Sequence, residues 1–226
     1  MAEKTKSLAA VVSQEKIATD IYSLILATPA AQKAVAGQFV SVYCKDRTKL
    51  LPRPISICEI NREAETLRLV YRVTGKGTGT EEFSRLKAGD QVEILGPLGN
   101  GFPLTGKKPL VIGGGIGVPP MLELAQALSR VLLVEEVKAG RADGSGDSRQ
   151  EGRDARVTAV LGYRDSQLFL KEEFEPWAKV YVSTDDGSAG TKGTVIDAVR
   201  ENGVEADVIF ACGPKPMLRA VKAYAA

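Results

Sequence analysis

The feature that most constrains this 226-residue chain is a change of rhythm either side of Gly96-Pro97-Leu98-Gly99-Asn100-Gly101. Before it, short apolar runs alternate with polar residues, as in Leu67-Arg68-Leu69-Val70-Tyr71-Arg72-Val73. After it, apolar runs are separated by stretches with helical spacing. A period of two places successive side chains on opposite faces of a strand, whereas a period near 3.6 builds one face of a helix. The chain therefore reads as two domains, 1–102 and 103–226, divided at a stretch too rich in Gly and Pro for regular structure.

In the first domain, residues 8–12, 21–26, 38–44, 55–60, 67–73 and 91–95 are rich in Val, Ile, Leu and Tyr and separated by turn residues. Six such runs with mostly short connections predict a closed antiparallel β-barrel. One helix, over residues 80–86, interrupts it and ends at Lys87-Ala88-Gly89-Asp90. In the second domain, strands at 110–112, 157–161, 180–182 and 208–211 alternate with helices, one through Met121, Leu122, Ala125 and Leu128 and others over 167–174, 194–201 and 217–225. That alternation predicts a doubly wound parallel sheet of the α/β class. Residues 135–156 are polar and Gly/Ser-rich and read as a flexible insertion, a mobile surface loop.

Composition narrows the chemistry. The net charge is +2 with no basic stripe or acidic tail, so no nucleic acid and no anionic membrane is expected as partner. No apolar run reaches about 18 residues and the first seven are polar and charged, so a cytoplasmic protein is expected. There is no histidine and there are three scattered cysteines. That removes Ser-His-Asp and Cys-His machinery, most zinc sites and a disulfide framework, and no metal site is expected. Hard chemistry without histidine or metal points to an organic cofactor.

Three turns are candidates to hold one. Gly113-Gly114-Gly115-Ile116-Gly117-Val118-Pro119-Pro120 joins a buried strand to a helix. Glycines there allow a sharp turn and close approach of a phosphate, and the helix start offers free N–H groups. The spacing is not the GxGxxG fingerprint, and such a turn also arises from packing alone. Ser183-Thr184-Asp185-Asp186-Gly187 and Ala211-Cys212-Gly213-Pro214-Lys215-Pro216-Met217 follow two other strands. In a parallel sheet all three fall at one edge, where open α/β sheets bind ligands.

In the barrel, Arg53-Pro54-Ile55-Ser56 offers a guanidinium fork for a pyrophosphate and a hydroxyl for a flavin ring nitrogen. Tyr71-Arg72 adds an aromatic ring and a second arginine. Thr78 and Glu81 have capping-box spacing, so Gly77-Thr78 is expected to start the interrupting helix and form an anion seat.

In this order the segments Arg-Pro-Ile-Ser, Tyr-Arg-Val-Thr-Gly-Lys-Gly-Thr, Gly-Pro-Leu-Gly-Asn-Gly-Phe, Gly-Gly-Gly-Ile-Gly-Val-Pro-Pro-Met, Ser-Thr-Asp-Asp-Gly and Cys-Gly-Pro-Lys-Pro-Met resemble the ferredoxin-NAD(P) reductase superfamily. Within it, the chain is most similar to the electron-transfer subunits of class 1B, NAD-dependent, dihydroorotate dehydrogenases of pyrimidine biosynthesis. The likeness covers nearly all but the 135–156 insertion. It implies an FAD site at Arg53, Pro54, Ile55, Ser56, Val70, Tyr71, Arg72, Gly77 and Thr78, and an NAD site at Gly113, Gly114, Gly115, Gly117, Asp185, Cys212, Gly213 and Pro214. It assigns catalytic roles to Ser56, beside the flavin N5, and to Cys212, beside the stacked rings. The wider superfamily often has Tyr where Ile55 stands, which implies different flavin stacking. Tyr163-Arg164 is a candidate for the adenosine ribose.

The resemblance further implies an FMN-containing dihydroorotate dehydrogenase catalytic subunit as partner, and a [2Fe-2S] cluster on a cysteine-rich tail past the residue 217–225 helix. The ligands for that cluster are not in this chain, which ends at Ala226. Two other readings remain open at this stage, a subunit of a related NAD(P)H:ferredoxin or sulfide oxidoreductase and a non-catalytic flavin-binding regulatory module.

Overall fold

Alternation of apolar and polar residues closes the first half of the chain on itself. The computed structural model describes residues 5–139 and 156–226. Strands β1 (Thr5–Ala18), β2 (Ile21–Ala27), β3 (Phe39–Val42), β4 (Arg53–Asn61), β5 (Thr66–Arg72) and β6 (Gln91–Leu98) form a closed antiparallel barrel in the order β1-β2-β5-β4-β3-β6. Its interior is one apolar cluster that includes Leu24, Val40, Ile55, Ile57, Leu69 and Ile94, all buried. Two short helices, α1 (Ala30–Lys33) and α2 (Gly79–Phe83), lie in the connections.

Two details depart from the sequence reading. Gly96, Pro97 and Leu98 belong to β6 rather than to an irregular boundary. Phe39 pairs with Leu98 and Ser41 with Leu95, so Gly96 and Pro97 stand opposite Val40 alone, as in a β-bulge. A β-carbon at 96 would lie 2.7 Å from Val40 Cγ1, so glycine permits the approach of β3. Proline is tolerated where the ladder needs no N–H. Helix α2 also stops early, at Phe83. Beyond it the backbone tightens, with Arg85 N–H bonded to Glu82 O and Leu86 N–H to Phe83 O.

The chain divides by internal contacts into Met1–Phe102 and Pro103–Ala226. In the second unit β7 (Pro109–Gly114), β8 (Thr158–Tyr163), β9 (Lys179–Thr184), β10 (Thr191–Lys192) and β11 (Val208–Cys212) form a parallel sheet in the order β10-β9-β8-β7-β11. Leu110, Ile112 and Val160 pack with Val195, Val199 and Val221 of α5 (Val195–Glu201) and α6 (Lys215–Tyr224). Val111 alternates to the opposite face of β7, and α3 (Val118–Lys138) packs on β7 and on α4 (Lys171–Phe174).

Helix α3 runs to Lys138, four residues into the expected loop. Leu132 continues its buried face and Glu136 pairs with Arg156 at 2.6 Å. Residues 140–155 of that expected insertion lie outside the described residues. The helix expected over 167–174 is confined to α4, because Leu170 is left-handed (φ 66°) and its buried side chain fixes it there. The two-residue β10 has too few residues to show a period and was not expected.

Thr194 caps α5 with a reciprocal box: its hydroxyl accepts from Asp197 N–H, and Asp197 accepts from the Thr194 N–H at 2.8 Å. Thr194→Ala is expected to cost about 1 kcal/mol. Thermal unfolding should show a loss of roughly 2–4 °C.

Candidate functional site

Strand parity sorts the barrel candidates. Ile55 and Tyr71 belong to the interior cluster. Ser56 and Val70 therefore point to the outer face, where Ser56 pairs with Phe39 and Val70 with Ser23. Pro54 and Arg72 share that outward parity. Tyr71 is 3% exposed, stacks on Tyr22 at 5.9 Å, meets Phe83 edge-on and donates its hydroxyl to Gln14 Oε1 at 2.8 Å. Burial, then the Tyr22 hydroxyl, pushes its phenol well above the usual range. The side chains of Ile55 and Tyr71 are thus core, and only their backbone is left to face a cofactor.

Arg53 starts β4 at the barrel mouth. Its Nη1 donates to Leu51 O at 2.8 Å, and it forms no ion pair with a described residue. A β-carbon at Gly79 would lie 3.0 Å from Arg53 Nε and 2.6 Å from Cys44 Sγ, so glycine lets α2 rest against both. In the turn just before α2, Gly75 (φ 140°) and Gly77 (φ 75°) adopt backbone that favours glycine, and a β-carbon on either meets nothing within 4 Å. A guanidinium without an ion pair among the described residues, set against Gly79 at the start of α2, fits a pyrophosphate.

The expected anion seat is partly taken. Thr78 caps α2, accepting from Glu81 N–H at 3.3 Å and donating to Gly75 O at 2.7 Å. The return bond of the box runs from Gly77 N–H, not Thr78 N–H, to Glu81 Oε2 at 2.5 Å. That bond, opposed by desolvation and aided by Arg85, holds the Glu81 carboxyl below the usual carboxylate range. Gly77 N–H is therefore committed to Glu81. Arg53 and Arg72 are candidate cations for phosphate, since neither forms an ion pair with a described residue.

At the sheet edge, β11 pairs with β7 in register, Cys212 opposite Gly113. The two turns that follow are in contact. A β-carbon on Gly117 would fall on the carbonyl of Cys212, and one on Gly113 would lie 2.8 Å from Val118 Cα. Gly114 and Gly213 both face the end of the Met217 side chain. Gly113, Gly114 and Gly117 are buried, so packing explains these three. Gly115 (φ 54°) is half-buried and keeps surface for a ligand. Pro214 precedes α6 and is exposed. Asp185 is exposed on the same edge beyond β9, two strands from β7, its N–H bonded to Tyr163 O at 3.2 Å. Two strand spacings are about 10 Å, within reach of an extended dinucleotide.

The Tyr163 side chain is packed as core. It is buried, crosses Phe169 edge-on at 5.4 Å and donates its hydroxyl to Phe169 O at 2.9 Å. Arg164 next to it is exposed. Sequence reasoning passed over Glu82, which bonds to the loop before Arg53; the partners lie 33–37 positions apart, beyond any local spacing rule.

All three cysteines are free. Burial pushes the half-buried Cys212 thiol above its usual 9.0, so it is neutral at physiological pH. Iodoacetamide labelling of Cys212, mapped by peptide mass spectrometry, is expected to be slow at about pH 7 and to rise only above about pH 9. Fast labelling near neutrality would contradict a protonated thiol.

A barrel with cationic groups at its mouth, joined in one chain to a parallel sheet with a glycine turn beside a cysteine, is the organisation of a ferredoxin reductase-like oxidoreductase. The oxidoreductase FAD-binding domain family matches residues 8–102, and the oxidoreductase NAD-binding domain family matches residues 111–223. Among solved structures, the NADH-dependent reduced ferredoxin-NADP oxidoreductase superposes with a TM-score of 0.75 at 29% identity, covering 97% of this chain and 72% of that one. The ferredoxin reductase in carbazole 1,9a-dioxygenase shares the fold (TM-score 0.75, 21% identity, 98% of this chain and 65% of that one). The dihydroorotate dehydrogenase B (NAD(+)) electron transfer subunit of Geobacillus sp. (strain WCH70) is 41% identical over 219 residues, 94% of this chain and 76% of the relative. That of Streptococcus mutans serotype c is 41% identical over 216 residues, 93% and 74% respectively. The chain belongs to this family of dihydroorotate dehydrogenase B electron transfer subunits. No helix among the described residues is long and apolar enough to cross a membrane.

Proposed function

We propose that this chain, as the barrel-plus-sheet part of an electron-transfer subunit, binds FAD on the barrel and NAD at the sheet edge. Electrons then run between NAD and an FMN-containing dihydroorotate dehydrogenase catalytic subunit in the cytoplasm, in pyrimidine biosynthesis. The observation that carries the reading is the Arg53 guanidinium, without an ion pair among the described residues, resting against Gly79 at the start of α2. Arg53 and Arg72 bind the FAD phosphates, Thr78 shapes the adjoining turn, Ser56 presents the outer face of the barrel to the flavin, and the buried Val70 offers its backbone. At the sheet edge Gly115, the Cys212-Gly213-Pro214 turn and Asp185 hold the nicotinamide nucleotide. Bound FAD supplies the conversion between two-electron exchange with a nicotinamide and one-electron exchange with a partner. The chain itself binds and orients, and a neutral Cys212 keeps negative charge away from the nucleotide. Domain roles follow the same division, 1–102 for FAD and 103–226 for NAD.

Anaerobic addition of NADH to the FAD-loaded protein is expected to bleach the visible flavin band. An unbleached flavin would leave a passive flavin-binding module. The 29% identity to the ferredoxin-NADP oxidoreductase favours a second reading, a subunit of a related ferredoxin-linked enzyme. Copurification of an FMN protein that oxidises dihydroorotate supports the first reading against it.

A further inference from the structure

We infer that Glu82 is a positioning residue for Arg53, locking the loop that ends in this arginine onto helix α2. The inference rests on the FAD site proposed above.

The loop between β3 and β4 spans residues 43–52, and one carboxylate gathers three of its donors. Glu82 Oε1 accepts from the Lys45 N–H at 2.5 Å and from the Asp46 N–H at 3.4 Å, and Oε2 binds Lys49 Nζ at 2.9 Å. Lys49 also reaches Asp46 Oδ2 at 3.4 Å, and Asp46 accepts from Thr48 N–H at 2.9 Å. The Lys49 and Glu82 side chains are 18% and 22% exposed, so their pair is shielded in a way that surface bridges are not. Desolvation opposes ionisation of Glu82, but the Lys49 ammonium and the two amides outweigh it and hold the carboxyl below its usual range.

The same helix touches the loop at its other end. Gly79, three residues before Glu82 and so on the same face of α2, is where Cys44 Sγ and Arg53 Nε come close. The guanidinium is tied to the loop rather than to the helix, through the Leu51 carbonyl. The position of the loop on α2 therefore sets the position of the guanidinium against Gly79 at the start of that helix. Glu82 acts on Arg53 without touching a phosphate.

A double-mutant cycle tests this. Apoprotein of the whole chain, its Glu82→Ala and Arg53→Ala variants and the double variant are titrated with FAD, and thermal unfolding is followed in parallel. Glu82→Ala is expected to raise the FAD Kd roughly tenfold when Arg53 is present and to change it little when Arg53 is already alanine, the non-additivity of two residues acting through one contact. Glu82→Gln, which keeps an acceptor for the Lys45 and Asp46 amides, is expected to restore most of the affinity. Additive losses, or an unchanged Kd in Glu82→Ala, would overturn the positioning role. If Arg53→Ala alone leaves the Kd unchanged, it is the flavin assignment that fails. Should Glu82→Ala not fold, the cycle is run with Lys49→Met, which removes the Lys49–Glu82 pair, and a loss that persists without Arg53 overturns the role equally.

Discussion

Gly117→Ala is expected to remove NADH-driven reduction of the flavin and to destabilise the protein, while Gly114→Ala, three positions earlier, is expected to do little of either. Both glycines are buried and both have ordinary negative φ, −84° and −125°, so conformational freedom does not separate them. What separates them is what a methyl group would meet. At 117 it falls on the carbonyl carbon and oxygen of Cys212 and lies 2.7 Å from Gly213 N, which is backbone at the end of β11. At 114 it meets the thioether end of Met217, with Pro214 Cδ at 3.4 Å. A methionine end can change rotamer, whereas a carbonyl moves only if its strand or turn moves. Overpacking commonly costs 1–3 kcal/mol, and a rigid neighbour puts Gly117→Ala at about 3 kcal/mol or more, with Gly114→Ala near 1 kcal/mol. The corresponding losses in melting temperature are roughly 6–12 °C and 2–4 °C. Parting the two turns also displaces Cys212, so the NAD Kd and the single-turnover rate with NADH should both suffer in Gly117→Ala. Equal behaviour of the two variants would show that the turns are not held by this contact.

The contrast marks what was legible before the structure. That Gly113 to Gly117 turn a strand into a helix at a ligand-bearing edge could be read from the residues. Which glycines serve packing and which leave surface for a ligand depends on β11, about a hundred positions away in sequence, and no spacing rule reaches that far. The barrel was more legible, because its strands carry their own period. The alternation Leu67, Leu69, Tyr71 already places Tyr71 with the core, and the interior position of Ile55 follows from its neighbours Val40 and Ile57. A motif taken as a block hides that parity, which is why these two side chains were grouped with outward-facing Ser56 and Val70. Leu170 shows a different limit. Local sequence favours helix over 167–174, and burial of one side chain holds the backbone left-handed against it. In α2 the Thr78–Glu81 spacing located the cap correctly, but the return bond slipped by one residue to Gly77, and so engaged an N–H expected to be open to an anion.

Arg53→Ala is expected to yield protein purified largely without flavin. The half-buried guanidinium has one hydrogen bond among the described residues, to Leu51 O, and no carboxylate partner. Its neighbouring acids are engaged, Glu82 and Asp46 by Lys49. Removing Arg53 therefore leaves no buried counter-charge stranded, and the loss falls on ligand binding rather than on folding. A charge-assisted hydrogen bond contributes roughly 1.5–3 kcal/mol, so a two-pronged contact to phosphate is worth about 3–4 kcal/mol, a rise in Kd of some 10²- to 10³-fold. Arg53→Lys keeps the charge but not the planar fork, and an intermediate affinity is expected. Two further measurements separate a phosphate contact from general loosening of the barrel. Thermal unfolding of the apoprotein should be nearly unchanged, and raising the salt concentration should weaken FAD binding in the native protein more than in Arg53→Ala. Full retention of the yellow chromophore by Arg53→Ala would place the pyrophosphate elsewhere, with Arg72 the next cation to test.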